Sequence, residues 1–380
     1  MERPRADAPA AIWVLDALHR NGAVHLTLQL AQRLGGRSGR LVTVQPLEPD
    51  REATVPAGVQ VTPLAPAGRL RTVVGPALSR LVRMARQADV IVACSEIGIG
   101  LLLSAAAARA TRTPLVVAVH ADVDAALQEW MPRRSHRLFR LVHRHAAGAI
   151  CVSPALVVPL VRNGLPADRI RVVQNGIDIA AVRVAAGAPV PDTGGEEGPI
   201  AIATGRVTHQ KGYDVLVRAH ARVVGEVPHA LRIYNDGPLL PSIRDLVDEL
   251  GVTSSVSFVD PAEPVLPHVA RATVFCLPSR HEGLPLALLE AVALGVPCIA
   301  ANCSDGVDAA LDGGRVGDLV PVDDVDGFAA ALRAHLLDPG PLRAKAALGP
   351  EHARSFDMDV MTQGWVTALT ELTSSRRPVR

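Results

Sequence analysis

Residues 200–223 read IAIATGRVTHQKGYDVLVRAHARV. An apolar, β-rich run ends at Gly205, a loop carrying Arg206 and Lys211 follows, and an amphipathic helix pattern starts directly after it. The same alternation extends in both directions along the chain. IWVLD, LVTVQ, DVIVAC, LVVAVH, AICVS and IRVVQN come before this unit, and LRIYND, VSFVD, TVFCLPS, PCIAAN and DLVPV follow its own IAIATG, with helix-length segments between them. Apolar strands alternating with helices predict parallel sheets covered on both faces. The runs form two sets of six, separated at 185–199 by AAGAPVPDTGGEEGP, which has turn residues and charge but no periodicity. The expectation is an α/β chain of two doubly wound, Rossmann-like domains, 1–185 and 200–357, joined by a linker at 186–199. Ligands of such folds sit at the carboxyl ends of the strands, so a cleft between the two domains is the expected site.

Composition agrees with two soluble cores. A chain of 380 residues exceeds one ordinary core, and 48% hydrophobic residues, 20% charged residues and a net charge of +1 favour neither disorder nor a polyanion partner. Cys94, Cys151, Cys276, Cys298 and Cys303 are an odd set without a C-x-x-C pair, which predicts reduced thiols and a cytoplasmic setting. The start MERPRADAPAAIWVLDAL resembles a leader only weakly, because Asp16 interrupts its short apolar run, so it reads as a first strand.

Two features suggest an anionic ligand. Arg206 and Lys211 share a loop before a helix start, whose free N–H groups and positive end suit a diphosphate; the bland alternative is two solvated loop cations. SRHEGLPLALLEAVALG, at 279–295, predicts a helix beginning at Pro285 and stopped by Gly295. Glu290 then lies about one turn below Leu286 and Ala287, whose amides are free in the first turn. A ligand with phosphates on those amides and hydroxyls on Glu290 fits a nucleotide, with Glu282 on the far side of the phosphates. The alternative makes Glu290 a solvated acid and Glu282 a helix-start charge.

GRVTHQKGYDVLVRA, YNDGP and SRHEGLPLALLEAVALGVPCIA together resemble the nucleotide-sugar domain of the family 4 glycosyltransferases, retaining enzymes of the GT-B fold. The resemblance covers 200–337 and is weaker, though in order, at NGAVHLTLQLAQRLGG, LVVAVHAD, CVSP and VVQNGID. It implies that Arg206 and Lys211 hold the donor diphosphate and Glu290 the ribose. Glu282 and the amides of Gly283 and Leu284 would take the sugar hydroxyls, and the amides of Leu286 and Ala287 the phosphates. Gly22 would approach the diphosphate from the first domain, His120 would lie near the reaction centre, and Asn175 would touch the acceptor unless it serves an Asn-Gly turn. The segment 358–380 resembles the family's tail helix, which crosses back onto the first domain. The implied reaction is metal-independent transfer from a nucleotide sugar, most commonly UDP-linked, with the acceptor attacking on the face the diphosphate leaves.

Departures are Asn21 beside Gly22, where two glycines are usual, and Asn235-Asp236-Gly237 where GDG is common; no base-reading residue stands out. Asp122 and Asp124 form a D-x-D that reads either as a metal site or as a helix cap. The helix at 132–145 carries Arg133, Arg134, Arg137, Arg140 and Arg144 with Leu138, Leu141 and Val142 for packing; a solvated helix is favoured over a lipid-facing one. Three Trp, two Tyr and five Phe argue against a stacking platform for nucleic acid or polysaccharide. A sugar, cyclitol or aminocyclitol acceptor is expected, as in cofactor or antibiotic assembly. The rivals are an anionic lipid acceptor and a non-catalytic sugar-nucleotide-binding module.

Overall fold

Apolar residues on both faces of a strand require cover on both sides, and the central strands have it. The computed structural model describes residues 8–18, 22–36, 38–45, 54–65, 70–188, 198–234, 236–259 and 264–374, the side chains of 70–73 and Glu129 aside. The first sheet comprises β1 (Ala11–Leu15), β2 (Arg40–Thr43), β3 (Val61–Pro63), β4 (Val90–Ala93), β5 (Leu115–Val119), β6 (Gly148–Cys151) and β7 (Ile170–Val172). Their order is β3-β2-β1-β4-β5-β6-β7, parallel throughout, and β1, β4, β5 and β6 are buried along their whole length. The second sheet comprises β8 (Ile200–Thr204), β9 (Ala230–Tyr234), β10 (Val256–Val259), β11 (Val274–Leu277), β12 (Cys298–Ala301) and β13 (Asp318–Val320). Its order is β10-β9-β8-β11-β12-β13, also parallel.

In each sheet the chain winds outward from a central strand, returns, and winds the other way. The reversal falls between β1 and β4 in the first sheet and between β8 and β11 in the second. Loops leaving the carboxyl ends of those neighbours diverge and open a crevice.

The chain forms two compact units, 1–175 with 358–380 and 176–357. This division corrects the boundary expected at 185–199. The helix Ile179–Ala186 contacts the helices Leu266–Val269 and Leu286–Ala293, and Ile177 and Ile179 join the core of Leu288, Leu289 and Phe356. Composition marks where the chain turns polar, whereas the boundary lies where apolar side chains change core. Linker residues 189–197 fall outside the described residues. The helix Met358–Ser374 packs on the first unit: Trp365 is buried with its ring 5.1 Å from that of Trp13, and Arg171 pairs with Glu371 at 2.6 Å. Residues 375–380 are not described.

Two further expectations change. β3 is a seventh strand in the first sheet, too short and too close to Pro63 to show a period at a sheet edge. In the helix Arg133–His145, Phe139 and His143 are buried while Leu138 and Leu141 are 47% and 53% exposed. The His143 ring lies with Nε2 2.8 Å from the Glu96 carbonyl. That contact and buried Phe139 set the helix rotation, so two of the three residues expected to pack face solvent instead.

Candidate active site

In the second unit the loops after β8 and β11 meet at the chain reversal. Gln210 donates its side-chain amide to the His281 carbonyl at 2.9 Å, and the Arg280 backbone amide donates to the Gln210 carbonyl at 2.7 Å. Arg280 also grips Asp214 with both terminal nitrogens, at 2.9 and 2.7 Å, and Asp323 through Nε at 2.8 Å. Burial opposes ionisation of Asp214, but the hydrogen bonds and charge of Arg280 hold its carboxyl below the usual range. Gly212, at φ 63°, closes the loop against Pro278, whose carbonyl oxygen would collide with any Cβ there.

The loops bring Lys211 and Glu282 together. Lys211 Nζ donates to Glu282 Oε1 at 2.6 Å, and the Ser279 hydroxyl donates to the same oxygen at 2.6 Å. The two charged side chains are only 22% and 8% exposed, so the pair is fixed in a place where electrostatic interactions are stronger than in water. Next to it the amides of Gly283, Leu284, Leu286 and Ala287 have no acceptor among the described residues. The helix runs Leu286–Ala293 and its first bond is Leu289 N–H to the Pro285 carbonyl at 3.1 Å. Pro285 is therefore the N-cap, extended at ψ 113°, and not the first helical residue; the start moves one position and the open amides stay. Gly306 packs on the Gly283 carbonyl so closely that a Cβ would overlap it, and the Ser304 hydroxyl donates to that carbonyl at 3.4 Å.

Glu290 follows on this helix, partly buried, and burial pushes its carboxyl up to about 7. It is neither a freely solvated acid nor ion-paired among the described residues. Arg206 is exposed and makes no ion pair among the described residues. The structure thus places one of the two loop cations in the cluster and leaves the other exposed to solvent. Asn235 and Asp260 lie outside the described residues. Gly237 packs on the backbone of Val207, whose amide donates to the Asp236 carbonyl at 3.0 Å.

The first unit has a second polar group, at the ends of β1, β4 and β5. Asp16 Oδ1 accepts from the Gly100 amide at 2.5 Å, and Glu96 Oε2 accepts from the His120 amide at 3.4 Å. Burial, with the charge of Asp16, raises the Glu96 carboxyl above its ordinary value. Burial lowers His120 to about 4, and its Nε2 is buried without a hydrogen-bond partner. Gly22 begins the helix Gly22–Leu34 and is exposed, while Asn21 is not described. Asn175 is buried with Oδ1 unpartnered, and Gly176 has no positive φ, so the Asn-Gly turn alternative does not hold. Asp122 caps the helix Val123–Trp130 by accepting from the Asp124 and Ala125 amides, and Asp124 pairs with Arg140 and Arg162. The D-x-D is a cap with a buttress.

Sequence reading singled out Lys211, Glu282 and Glu290 but not Ser279, Arg280, Ser304 and Gly306, which hold the loops around the Lys211–Glu282 pair. Gly212 and Gly306 are the signal that was present, small residues where two loops approach closely.

Residues 198–338 match the family described as Glycosyl transferases group 1, and residues 20–181 match Glycosyltransferase Family 4. The chain belongs to the family 4 glycosyltransferases. It is 35% identical over 173 residues to an exopolysaccharide phosphotransferase of Streptomyces coelicolor, covering 45% of this chain and 18% of that one. It is 34% identical over 192 residues to a GDP-mannose-dependent alpha-(1-6)-phosphatidylinositol monomannoside mannosyltransferase of Mycolicibacterium smegmatis, covering 48% and 49%. The chain thus spans about half or less of these relatives' lengths. Among solved structures, Anabaena HepE in complex with UDP and glucose superposes with a TM-score of 0.80 over 95% of this chain and 99% of that one, at 18% identity. That likeness identifies the fold: both units are doubly wound sheets of the GT-B type.

Proposed function

We propose that the chain is a retaining glycosyltransferase that moves a hexose or amino-hexose from a nucleotide diphosphate sugar, UDP-linked by preference, to a small polar acceptor such as a sugar, cyclitol or aminocyclitol. The observation that carries this reading is the row of unbonded amides at Gly283, Leu284, Leu286 and Ala287 beside the Lys211–Glu282 pair. A diphosphate supplies the acceptors those amides lack, and Lys211 supplies a counter-charge. Glu290 accepts the ribose hydroxyls, Glu282 the sugar hydroxyls, and Arg206 swings in from the surface.

In the reaction the acceptor hydroxyl forms a bond to the anomeric carbon as the bond to the nucleotide diphosphate breaks on the same face. The departing β-phosphate oxygen takes the hydroxyl proton. Lys211 and the fixed amides stabilise charge growing on that oxygen without reorganising, which lowers the barrier. On this reading no metal is needed and activity persists in excess EDTA. Neutral His120, with Nε2 open, receives a hydrogen bond from the acceptor or sugar.

The name of the mycolicibacterial relative favours a second acceptor class, an inositol-containing lipid. A thermal-shift screen of UDP- and GDP-linked sugars, followed by acceptor trials with the stabilising donor, tests the proposal. Stabilisation without hydrolysis or transfer would leave a binding module and overturn the enzymatic reading.

A further inference from the structure

We propose that the first unit docks on an anionic lipid bilayer through the outer face of the helix Arg133–His145 together with Trp130. The inference goes beyond the transferase reading and does not depend on it. Residues four, seven and eleven apart share a helix face. Arg133, Arg137, Arg140 and Arg144 therefore form one stripe, and Arg134, Leu138, Leu141 and His145 form the stripe beside it. All eight are exposed, and the helix contains no acid. Arg140 is engaged by Asp124 and Asn163, but Arg133, Arg134, Arg137 and Arg144 make no ion pair among the described residues.

Charge alone would suit any polyanion; the apolar part selects a bilayer. Trp130, which ends the preceding helix, is 67% exposed, the largest such exposure among the tryptophans, since Trp13 and Trp365 are buried. Val158 and Val161, on the helix Val157–Arg162 that packs against the Trp130 helix, are also exposed. An aromatic belt residue, apolar side chains and a cationic stripe match the interface of acyl chains and anionic headgroups. At its carboxyl end the face runs into a cavity of about 1200 Å³ lined by Leu141, His145, Arg86, Arg109 and Arg112 and by a single acid, Asp89. No described helix is long and apolar enough to cross a membrane.

The test uses the full chain with vesicles of phosphatidylcholine, with and without phosphatidylglycerol. Expected results are co-sedimentation with the anionic vesicles only, weakened by salt, and a blue shift of tryptophan emission that Trp130→Phe abolishes. Arg133→Glu, Arg134→Glu and Arg137→Glu together reduce vesicle partitioning by at least roughly 100-fold. An unchanged melting temperature shows that this triple variant is folded. Absence of co-sedimentation, equal binding by the triple variant, or binding that transfer RNA displaces with no emission shift at any stage would overturn the proposal; the last outcome would indicate a polyanion surface.

Discussion

The two units build the same crevice and furnish it differently. At the chain reversal of the second unit the polar side chains are already paired: Glu282 with Lys211 and Ser279, and Arg280 with Asp214 and Asp323. At the reversal of the first unit Asp16 accepts from the Gly100 amide, whereas His120 Nε2 is buried without a hydrogen-bond partner among the described residues and Glu96 reaches the His120 amide only at 3.4 Å. A prearranged set of charges suits a ligand whose phosphates have the same geometry in every turnover. Open, desolvated groups suit hydrogen bonds from a bound molecule, which on the proposed reading is the acceptor.

The sharpest way to break this contrast is Lys211→Ala. Turnover should fall about 100- to 1,000-fold with the fold retained, as for removal of one preorganised charge-stabilising donor. Near-normal turnover in steady-state assays would mean that the paired cluster is structural. Gly306→Ala comes next. The added methyl meets the Gly283 carbonyl, so stability should drop by about 2 kcal/mol and donor affinity should drop with it, read by melting curves with and without nucleotide sugar.

Two pH experiments compare the units directly, with opposite signs. His120 is lowered from 6.5 to about 4, so in that window the unfolded chain holds more protons than the folded one. Its contribution favours folding above about pH 6.5 and is lost as pH falls. Glu290 is raised from 4.5 to about 7, so the folded chain holds more protons in that window and stability falls as pH rises through it. Subtracting the melting temperatures of His120→Gln and Glu290→Gln from wild type across this range should give slopes of opposite sign. Equal signs would contradict the burial assigned to one of the carboxyl or imidazole groups. The smallest expected effect concerns donor affinity. Ribose hydroxyls donate better to ionised Glu290, so nucleotide-sugar binding should tighten by up to about tenfold from pH 6 to 8 in wild type and stay flat in Glu290→Gln.

How far sequence reading reached depended on range along the chain. The strands of both sheets, apart from β3, and the helix carrying Glu290 were legible because apolar runs, a proline and a stopping glycine act within a few residues. Membership of Ile177 and Ile179 in the second core was not legible, since a linker-like composition further on masked it. The outward rotation of Leu138 and Leu141 was equally hidden, because periodicity defines faces but not which face finds a partner.

The α/β class, the doubling of the architecture, and a phosphate-and-hydroxyl pattern at a helix start follow from local patterning alone, for the physical reason that strand and helix periods and helix ends are short-range properties; the sugar entered only through the resemblance to family 4 glycosyltransferases. Tertiary structure decided that Lys211 meets Glu282 across 71 residues, that Ser279 shares the same oxygen, and that the row of amides from Gly283 to Ala287 remains open beside them. It also decided that burial lowers the His120 imidazole to about 4 and pushes the Glu290 carboxyl up to about 7. Desolvation and pairing depend on what the folded chain brings alongside a group, and adjacent sheet strands bring together segments that are distant in sequence.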